Sequence, residues 1–284
     1  MSCYLCGCSQ SIFRPGSVRD NSEIKILECT DCGLVYLSSH THIGYDHYEK
    51  SGMHDGKVPC IASWLKDTQA DDRRRYDFLE TKITNKQLLD FGCGAGGFLK
   101  LAQESCSSSC GIELETALQN SYKERGLVVY PSLSDANSLG QQWDLITAFH
   151  VIEHLTDPAD MISQLASLLS HGGELIIEVP SANDVLLTTY NNDAFQNFTY
   201  WSQHLYLFNA VNLNLLVKKA GLKLQWVKHI QRYPLSNHLY WLSKGKPGGH
   251  KHWDFLSCAA LDLQYEQQLA SLGLTDTIIA SISN

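Results

Sequence analysis

Long apolar runs are missing from this chain. None of its 284 residues belongs to an uninterrupted apolar span long enough to form a membrane helix, so no membrane partner is expected. A basic balance is missing as well. The 22 Lys and Arg residues face 30 Asp and Glu, for a formal net charge of -8, which argues against a large nucleic-acid footprint because phosphate binding ordinarily asks for a basic face. The sequence opens on a cysteine-rich stretch, not on a basic and then apolar leader, so export is not expected. Ten cysteines in a chain of this length read as metal ligands plus scattered reduced thiols, not as a disulfide framework. The expected localisation is cytoplasmic, and 44% apolar residues suit a globular core.

Four of the cysteines stand in two matching turns, Cys3-Tyr4-Leu5-Cys6-Gly7 and Cys29-Thr30-Asp31-Cys32-Gly33. Each C-x-x-C-G turn offers two thiolates, and four thiolates meet the tetrahedral preference of structural zinc. Between them, Ile24-Lys25-Ile26-Leu27-Glu28 alternates as a strand does. The expectation is a zinc ribbon over 1–40 with a hairpin between the two knuckles. Cys8 is a competing ligand, but it lies too close to Cys6 for comfortable joint chelation.

The second signal is Gln87-Leu88-Leu89-Asp90-Phe91-Gly92-Cys93-Gly94-Ala95-Gly96-Gly97. An apolar strand delivers an acid into a glycine turn, and a helix is expected from about Phe98. Glycines there permit positive φ and let backbone N–H groups approach a ligand. Gly92, Gly94 and Gly97 also fit the dinucleotide pattern G-x-G-x-x-G. Asp90, two residues before the first glycine, would repel a pyrophosphate and suits a cationic ligand. Strands are expected at 109–113, 127–130, 143–149 and 174–179, with helices between them to about 105 and from 115. Such alternation implies right-handed crossovers and a parallel sheet covered on both faces.

Asp90, the glycines, Glu113 and the run Phe149-His150-Val151-Ile152-Glu153-His154-Leu155-Thr156-Asp157-Pro158 follow the order and spacing of class I S-adenosylmethionine-dependent methyltransferases, which the chain resembles over most of its length beyond Lys86. The resemblance implies an α/β fold with a seven-stranded, mostly parallel sheet, and transfer of a methyl group. It implies a cofactor site of Asp90, Gly92, Gly94, Gly96, Glu113, Leu114, Leu133, Phe149 and His150, with Glu113 on the ribose hydroxyls. The expected domains are the ribbon, a linker with a helical cap at 41–86, and a catalytic domain at 87–284 with an insertion at about 231–274.

His150 ends the fourth strand, where an imidazole can take a proton from an acceptor hydroxyl or from carbon beside a carbonyl; the competing role is to line the methionine part of the cofactor. Glu153 and His154 are expected mainly to organise the loop. Some related O-methyltransferases hold a divalent cation in this segment with acids and a histidine, but His150 stands where the first acid would be, and Mg²⁺ prefers oxygen ligands. The stretch Asn197-Phe198-Thr199-Tyr200-Trp201-Ser202-Gln203-His204-Leu205-Tyr206-Leu207-Phe208 supplies aromatics for a pocket wall or a packed loop, and His204 as a second candidate base. Tyr48, in Tyr45-Asp46-His47-Tyr48, is placed by the resemblance over the cofactor. Arg73-Arg74-Arg75 follows three aspartates and reads as a solvated, salt-bridged helix face.

A helix at 209–220 and strands at 223–230 and 277–282 complete the expected sheet. The insertion between those strands carries Arg232 and the polar turn Lys244-Gly245-Lys246-Pro247-Gly248-Gly249-His250-Lys251, which suits either a phosphate clamp or a solvated loop. The whole arrangement is similar to sugar-modifying methyltransferases with an N-terminal zinc part, which implies a small, phosphate-bearing sugar or glycan as the acceptor. The chain has no room for the further large domain that some carbon-methylating members carry, so oxygen methylation stays open. The alternatives are a nucleic-acid methyltransferase that uses the ribbon for recognition, and a binding protein without turnover. Against the first, no Asn/Asp-Pro-Pro-aromatic turn follows the fourth strand.

Overall fold

The computed structural model describes residues 2–44, 47–49, 57, 60–137 and 140–284. Its strands are β1 (Ser11–Phe13), β2 (Ile26–Cys29), β3 (Val35–Leu37), β4 (Gln87–Phe91), β5 (Ser108–Ile112), β6 (Val129–Tyr130), β7 (Trp143–Phe149), β8 (Leu169–Pro180), β9 (Tyr206–Leu207), β10 (Lys223–Ile230) and β11 (Thr277–Ser283). They form a seven-stranded sheet in the order β10-β11-β8-β7-β4-β5-β6 and a four-stranded sheet in the order β1-β2-β3-β9. The larger sheet, mostly parallel and accompanied by helices, is the expected α/β class I methyltransferase architecture.

The chain divides into two compact units, one of residues 1–42, 152–159 and 178–280, the other of residues 43–151, 160–177 and 281–284. In the second unit, β4 pairs in parallel with β5 and with β7, and β5 with β6. Leu88 and Leu89 of β4, and Leu145, Ile146 and Ala148 of β7, are buried, the near-continuous apolar pattern of strands covered on both faces. Helices α1 (Ile61–Ile83), α2 (Gly97–Ala102), α3 (Gln119–Glu124), α4 (Leu133–Asn137) and α5 (Pro158–Ser167) accompany these strands. One face of α1 is buried through Asp72, Arg75, Leu79 and Ile83, a spacing that follows the helical period. The expected basic face therefore splits. Arg73 is exposed and pairs with Asp77 at 2.8 Å, Arg74 pairs with Asp71 at 3.1 Å, and Arg75 turns inward.

In the first unit, β1, β2 and β3 run antiparallel, with Ser11 opposite Cys29 and Ile26 opposite Leu37. The expected hairpin between the knuckles is present as β1 and β2. The sheet then takes a fourth strand, β9, with Val35 opposite Leu207. Tyr200, Tyr206 and Phe208 are buried, so much of the aromatic run is packed core. Helices α6 (Asp193–Thr199) and α7 (Ala210–Lys219) flank β9. Asn209 caps α7 by accepting from the N–H groups of Val211 and Asn212, while the Asn212 side chain accepts from the Asn209 N–H at 2.8 Å, a reciprocal arrangement that satisfies orphan donors. Between β10 and β11 the insertion folds as α8 (Leu235–Lys244), α9 (Gly249–His252) and α10 (Ala259–Leu272).

Candidate active site

In the second unit the glycine turn leaves the carboxyl end of β4, the strand that has β5 on one side and β7 on the other. Open α/β sheets leave a ligand crevice at such a reversal of strand order. Gly92, Gly94 and Gly96 all have positive φ, at 70°, 51° and 73°, conformations costly for residues with a Cβ. Space is restricted too: a Cβ on Gly92 would stand 2.4 Å from Val151 Cγ2. The N–H groups of Gly92 and Cys93 both donate to the Ile112 carbonyl, at 2.8 and 3.1 Å. Glu113 accepts from the Gly94 N–H at 2.9 Å with one oxygen and from the Glu115 N–H at 3.0 Å with the other. Each oxygen retains acceptor capacity for a ligand hydroxyl.

Asp90 is buried and accepts from Thr147 Oγ1 at 2.7 Å. Burial pushes its carboxyl up to about 7, against the opposing pull of the Thr147 hydrogen bond and the Arg75 charge. Arg75 lies 4.7 Å from the Phe149 ring centroid and 3.7 Å from Asp72 Oδ1. Asp72 in turn accepts from Thr68 Oγ1 at 2.8 Å, and its Oδ2 would lie 2.1 Å from a Cβ on Gly97. Glycine at the start of α2 is what lets that carboxylate come close. Phe149 meets Phe98 edge-on at 4.9 Å. Tyr122 donates to the Gly94 carbonyl at 2.5 Å, and Arg125 donates to the Ala95 carbonyl.

Asp72, Arg75, Tyr122 and Arg125 were not expected from the sequence. For the first two a signal existed in their spacing with Leu79 and Ile83 along α1; for the other two there was none, because their targets are backbone carbonyls. Of the expected residues, Asp90, the three glycines, Glu113 and Phe149 gather at the carboxyl ends of β4, β5 and β7. Leu114 follows Glu113 and Leu133 opens α4, both half-buried. His150, next after β7, is half-buried and has φ of 54°, a left-handed conformation uncommon outside glycine. Tyr48 meets His47 edge-on at 5.0 Å; Tyr45 and Asp46 lie outside the described residues.

In the first unit the two knuckles share one backbone pattern. The Gly7 N–H donates to the Cys3 carbonyl at 2.9 Å and the Gly33 N–H to the Cys29 carbonyl at 3.0 Å; the Cys3 N–H reaches the Cys8 carbonyl at 2.8 Å and the Cys29 N–H the Leu34 carbonyl at 2.9 Å. Gly7 and Gly33 have φ of 74° and 71°. Cys3 Sγ lies 3.5 Å from Cys32 Sγ, and Cys6 Sγ 3.5 Å from Cys29 Sγ, far longer than a disulfide and close to the sulfur edge of roughly 3.8 Å that four Zn–S bonds of about 2.3 Å impose. Cys8 Sγ instead accepts from the Gln10 N–H at 3.4 Å.

The same unit joins three further expected residues. Glu153 and His154 are buried, and His154 Nδ1 donates to the Gln203 carbonyl at 2.8 Å. That bond leaves Nε2 facing Glu153 Oε1 at 3.9 Å. His204 lies edge-on to His154 at 4.9 Å, and Glu153, His154 and His204 each bring a ligand atom within 4.8 Å of the other two. Two imidazoles and one carboxylate are a donor set for borderline divalent ions more than for Mg²⁺. The Leu205 N–H donates to the Glu153 carbonyl at 2.9 Å, which ties the turn after β7 to the residues before β9.

A methyltransferase-domain family profile matches residues 64–226, more than half of the chain. The chain belongs to the S-adenosylmethionine-dependent methyltransferases. This methyltransferase is 26% identical over 176 residues to the ubiquinone biosynthesis O-methyltransferase of Coxiella burnetii (strain Dugway 5J108-111), covering 57% of this chain and 75% of the relative. It is 27% identical over 146 residues to the protein of the same name from Methylococcus capsulatus, covering 48% of this chain and 61% of that one. Among solved structures, a methyltransferase from Thermotoga maritima superposes with a TM-score of 0.52 at 16% identity, over 84% of this chain and 98% of its own. The match at that identity speaks to the fold. Among the described residues, no helix of the methyltransferase is long and apolar enough to cross a membrane.

Proposed function

We propose that this methyltransferase transfers a methyl group to a hydroxyl oxygen of a small-molecule acceptor, with a phosphate-bearing sugar as the favoured class. S-adenosylmethionine supplies a sulfonium-activated methyl group. Asp90, Gly92, Gly94, Gly96 and Glu113 hold it, with Glu113 accepting from the ribose hydroxyls and the buried Asp90 favouring the cationic end. Arg75, fixed by Asp72 and by the Phe149 face, offers its guanidinium to the carboxylate of the methionine part. Phe149, Leu114 and Leu133 line the apolar surroundings.

The observation that carries the reading is His150. An imidazole held half-buried at the end of β7 in a left-handed conformation marks backbone strain of the kind that functional sites retain. There it accepts the acceptor's hydroxyl proton as the oxygen takes the methyl group. His204, engaged with His154 and Glu153, organises the turn after β7, and Tyr48 contributes to covering the site. Oxygen over carbon is supported by the relatives, which carry the name O-methyltransferase. The phosphate-bearing sugar class is supported by the resemblance to sugar-modifying methyltransferases that carry paired cysteine turns ahead of the catalytic domain. Cys3, Cys6, Cys29 and Cys32 hold a structural Zn²⁺, which their sulfur spacing suits.

The test is mass spectrometry after incubation with methyl-labelled S-adenosylmethionine and a panel of sugar nucleotides and phenols, with tRNA in parallel. A methyl-mass gain on a sugar hydroxyl supports the reading. Gain on a phenol keeps oxygen transfer and removes the sugar, whereas label in RNA alone removes the small-molecule acceptor.

A further inference from the structure

The insertion between β10 and β11 is unusual in what it leaves uncovered. Of fourteen large apolar side chains exposed among the described residues, eight fall within 231–274. Helix α10 buries only Leu269 along its 14 residues, although helices of this length depend on packing for most of their stability. Leu239 and Leu242 of α8 are one turn apart and both exposed; Phe255 and Leu256 stand on a 3₁₀ turn, with Phe255 75% exposed.

These residues belong to one packed substructure. The Leu235 N–H donates to Asp262 at 3.3 Å, Ser236 Oγ lies 2.8 Å from Ser257 Oγ, and His238 Nδ1 lies 2.7 Å from the Tyr265 hydroxyl, so α8 is fastened along α10. Tyr240 stacks on His252 at 5.5 Å and meets Trp253 edge-on at 5.1 Å, which fixes the turn carrying Phe255 and Leu256. The same substructure carries Lys244, Lys246 and Lys251, all exposed, with Asp254 the one acid between 242 and 256, in a chain whose net charge is -8.

We propose that this insertion docks the methyltransferase on an anionic lipid surface, Phe255 and Leu256 entering the interface and the three lysines meeting the headgroups. Exposed apolar side chains rimmed by lysines are the composition of in-plane interfacial elements, and the local positive charge against an acidic chain selects an anionic bilayer over a neutral one. The contact needs no spanning helix. It is independent of the acceptor, because docking is measured without methyl transfer.

The full-length protein is sedimented with vesicles of phosphatidylcholine containing 30% phosphatidylglycerol and with pure phosphatidylcholine vesicles, at low and high salt. The expected result is binding to the anionic vesicles that falls as salt rises. Each lysine near such a surface contributes about 1 kcal/mol, so Lys244→Glu/Lys246→Glu/Lys251→Glu lowers the partition by 100-fold or more. Phe255→Ser/Leu256→Ser lowers it at least 10-fold while leaving the lysines in place. These positions are exposed, and S-adenosylmethionine binding by each variant reports that the fold persists. Equal association with both vesicle types, no association, or self-association through this face with no vesicle binding overturns the proposal.

Discussion

Thr147 Oγ1 donates to Asp90 Oδ1 at 2.7 Å, so the carboxylate at the end of β4 is held by its neighbour on β7 beneath the glycine turn. Burial pushes Asp90 up to about 7, and the unfolded chain releases the same proton near pH 3.8. Between those values the folded state retains a proton that the unfolded state has lost, so the contribution of Asp90 to stability declines as pH rises through this window. At pH 8 the ligand-free protein carries a cost of up to about 4 kcal/mol from this residue. Asp90→Asn should raise the Tm of ligand-free protein at pH 8 with little change at pH 4, and weaken S-adenosylmethionine binding at least 10-fold by calorimetry. Unchanged affinity removes Asp90 from the cofactor site.

Asp184 follows the same logic in the other unit. Burial, with the nearby Asp276 charge adding to it, pushes its carboxyl up to about 8, although it accepts from the Leu186 N–H at 2.8 Å. Its stability contribution declines between about pH 4 and pH 8. Asp184→Asn should therefore flatten the fall in Tm across that range, measured by thermal unfolding in matched buffers, and leave cofactor affinity within twofold.

His150 separates chemistry from conformation. His150→Gln should lower kcat by roughly 10²- to 10⁴-fold, the range a general base contributes, with the dissociation constant for S-adenosylmethionine nearly unchanged. His150→Gly removes the same imidazole and also relieves φ of 54°, so its Tm should exceed that of His150→Gln by a few degrees, about 1 kcal/mol. Full activity in either variant rules out the base.

Gly92 tests the close approach at the turn. Gly92→Ala places a methyl group against Val151 Cγ2 in a left-handed conformation and should cost more than about 2 kcal/mol. Val151→Ala in that background should return part of the stability in a double-mutant cycle, since it removes the clash but not the backbone strain.

Metal removal should act locally. Chelation, or Cys6→Ser, is expected to lower hydrogen-exchange protection at 26–37 and 206–207, the residues of β2, β3 and β9, while 87–91 stay protected. Preserved protection at 206–207 with zinc absent by metal analysis would show that the cysteines do not hold this sheet together.

The strands at 143–149 and 223–230 were legible to the residue, because long apolar or alternating runs leave little choice of period. The strand expected at 174–179 in fact begins at Leu169 and runs through Gly172, which has φ of 78°. The third strand shortens to Val129–Tyr130, an edge position where neighbours dictate little. The helix expected from 115 opens as a 3₁₀ turn at Thr116–Leu118. The matching turns at 3–7 and 29–33 and the positive φ of Gly92, Gly94 and Gly96 were legible from spacing and from glycine itself. The Asp72 and Arg75 pair was missed because charged helix residues read as solvent-facing, although their spacing with Leu79 and Ile83 marks the buried face, and β9 because two residues have no period. The conformation of His150 had no clear sequence signal, since outside glycine positive φ is uncommon even for the residue types enriched there, histidine among them.

The fourth strand of the smaller sheet also bears on how the molecule is made. Val35 pairs with Leu207, so β3 completes its sheet only after the distant β9 has been synthesised. Until then β3 offers an open edge, the kind of surface on which nascent chains associate wrongly. If the two cysteine turns hold the metal proposed for them, its capture would keep β1, β2 and β3 folded through that interval, a task for the four thiolates separate from any in the finished enzyme.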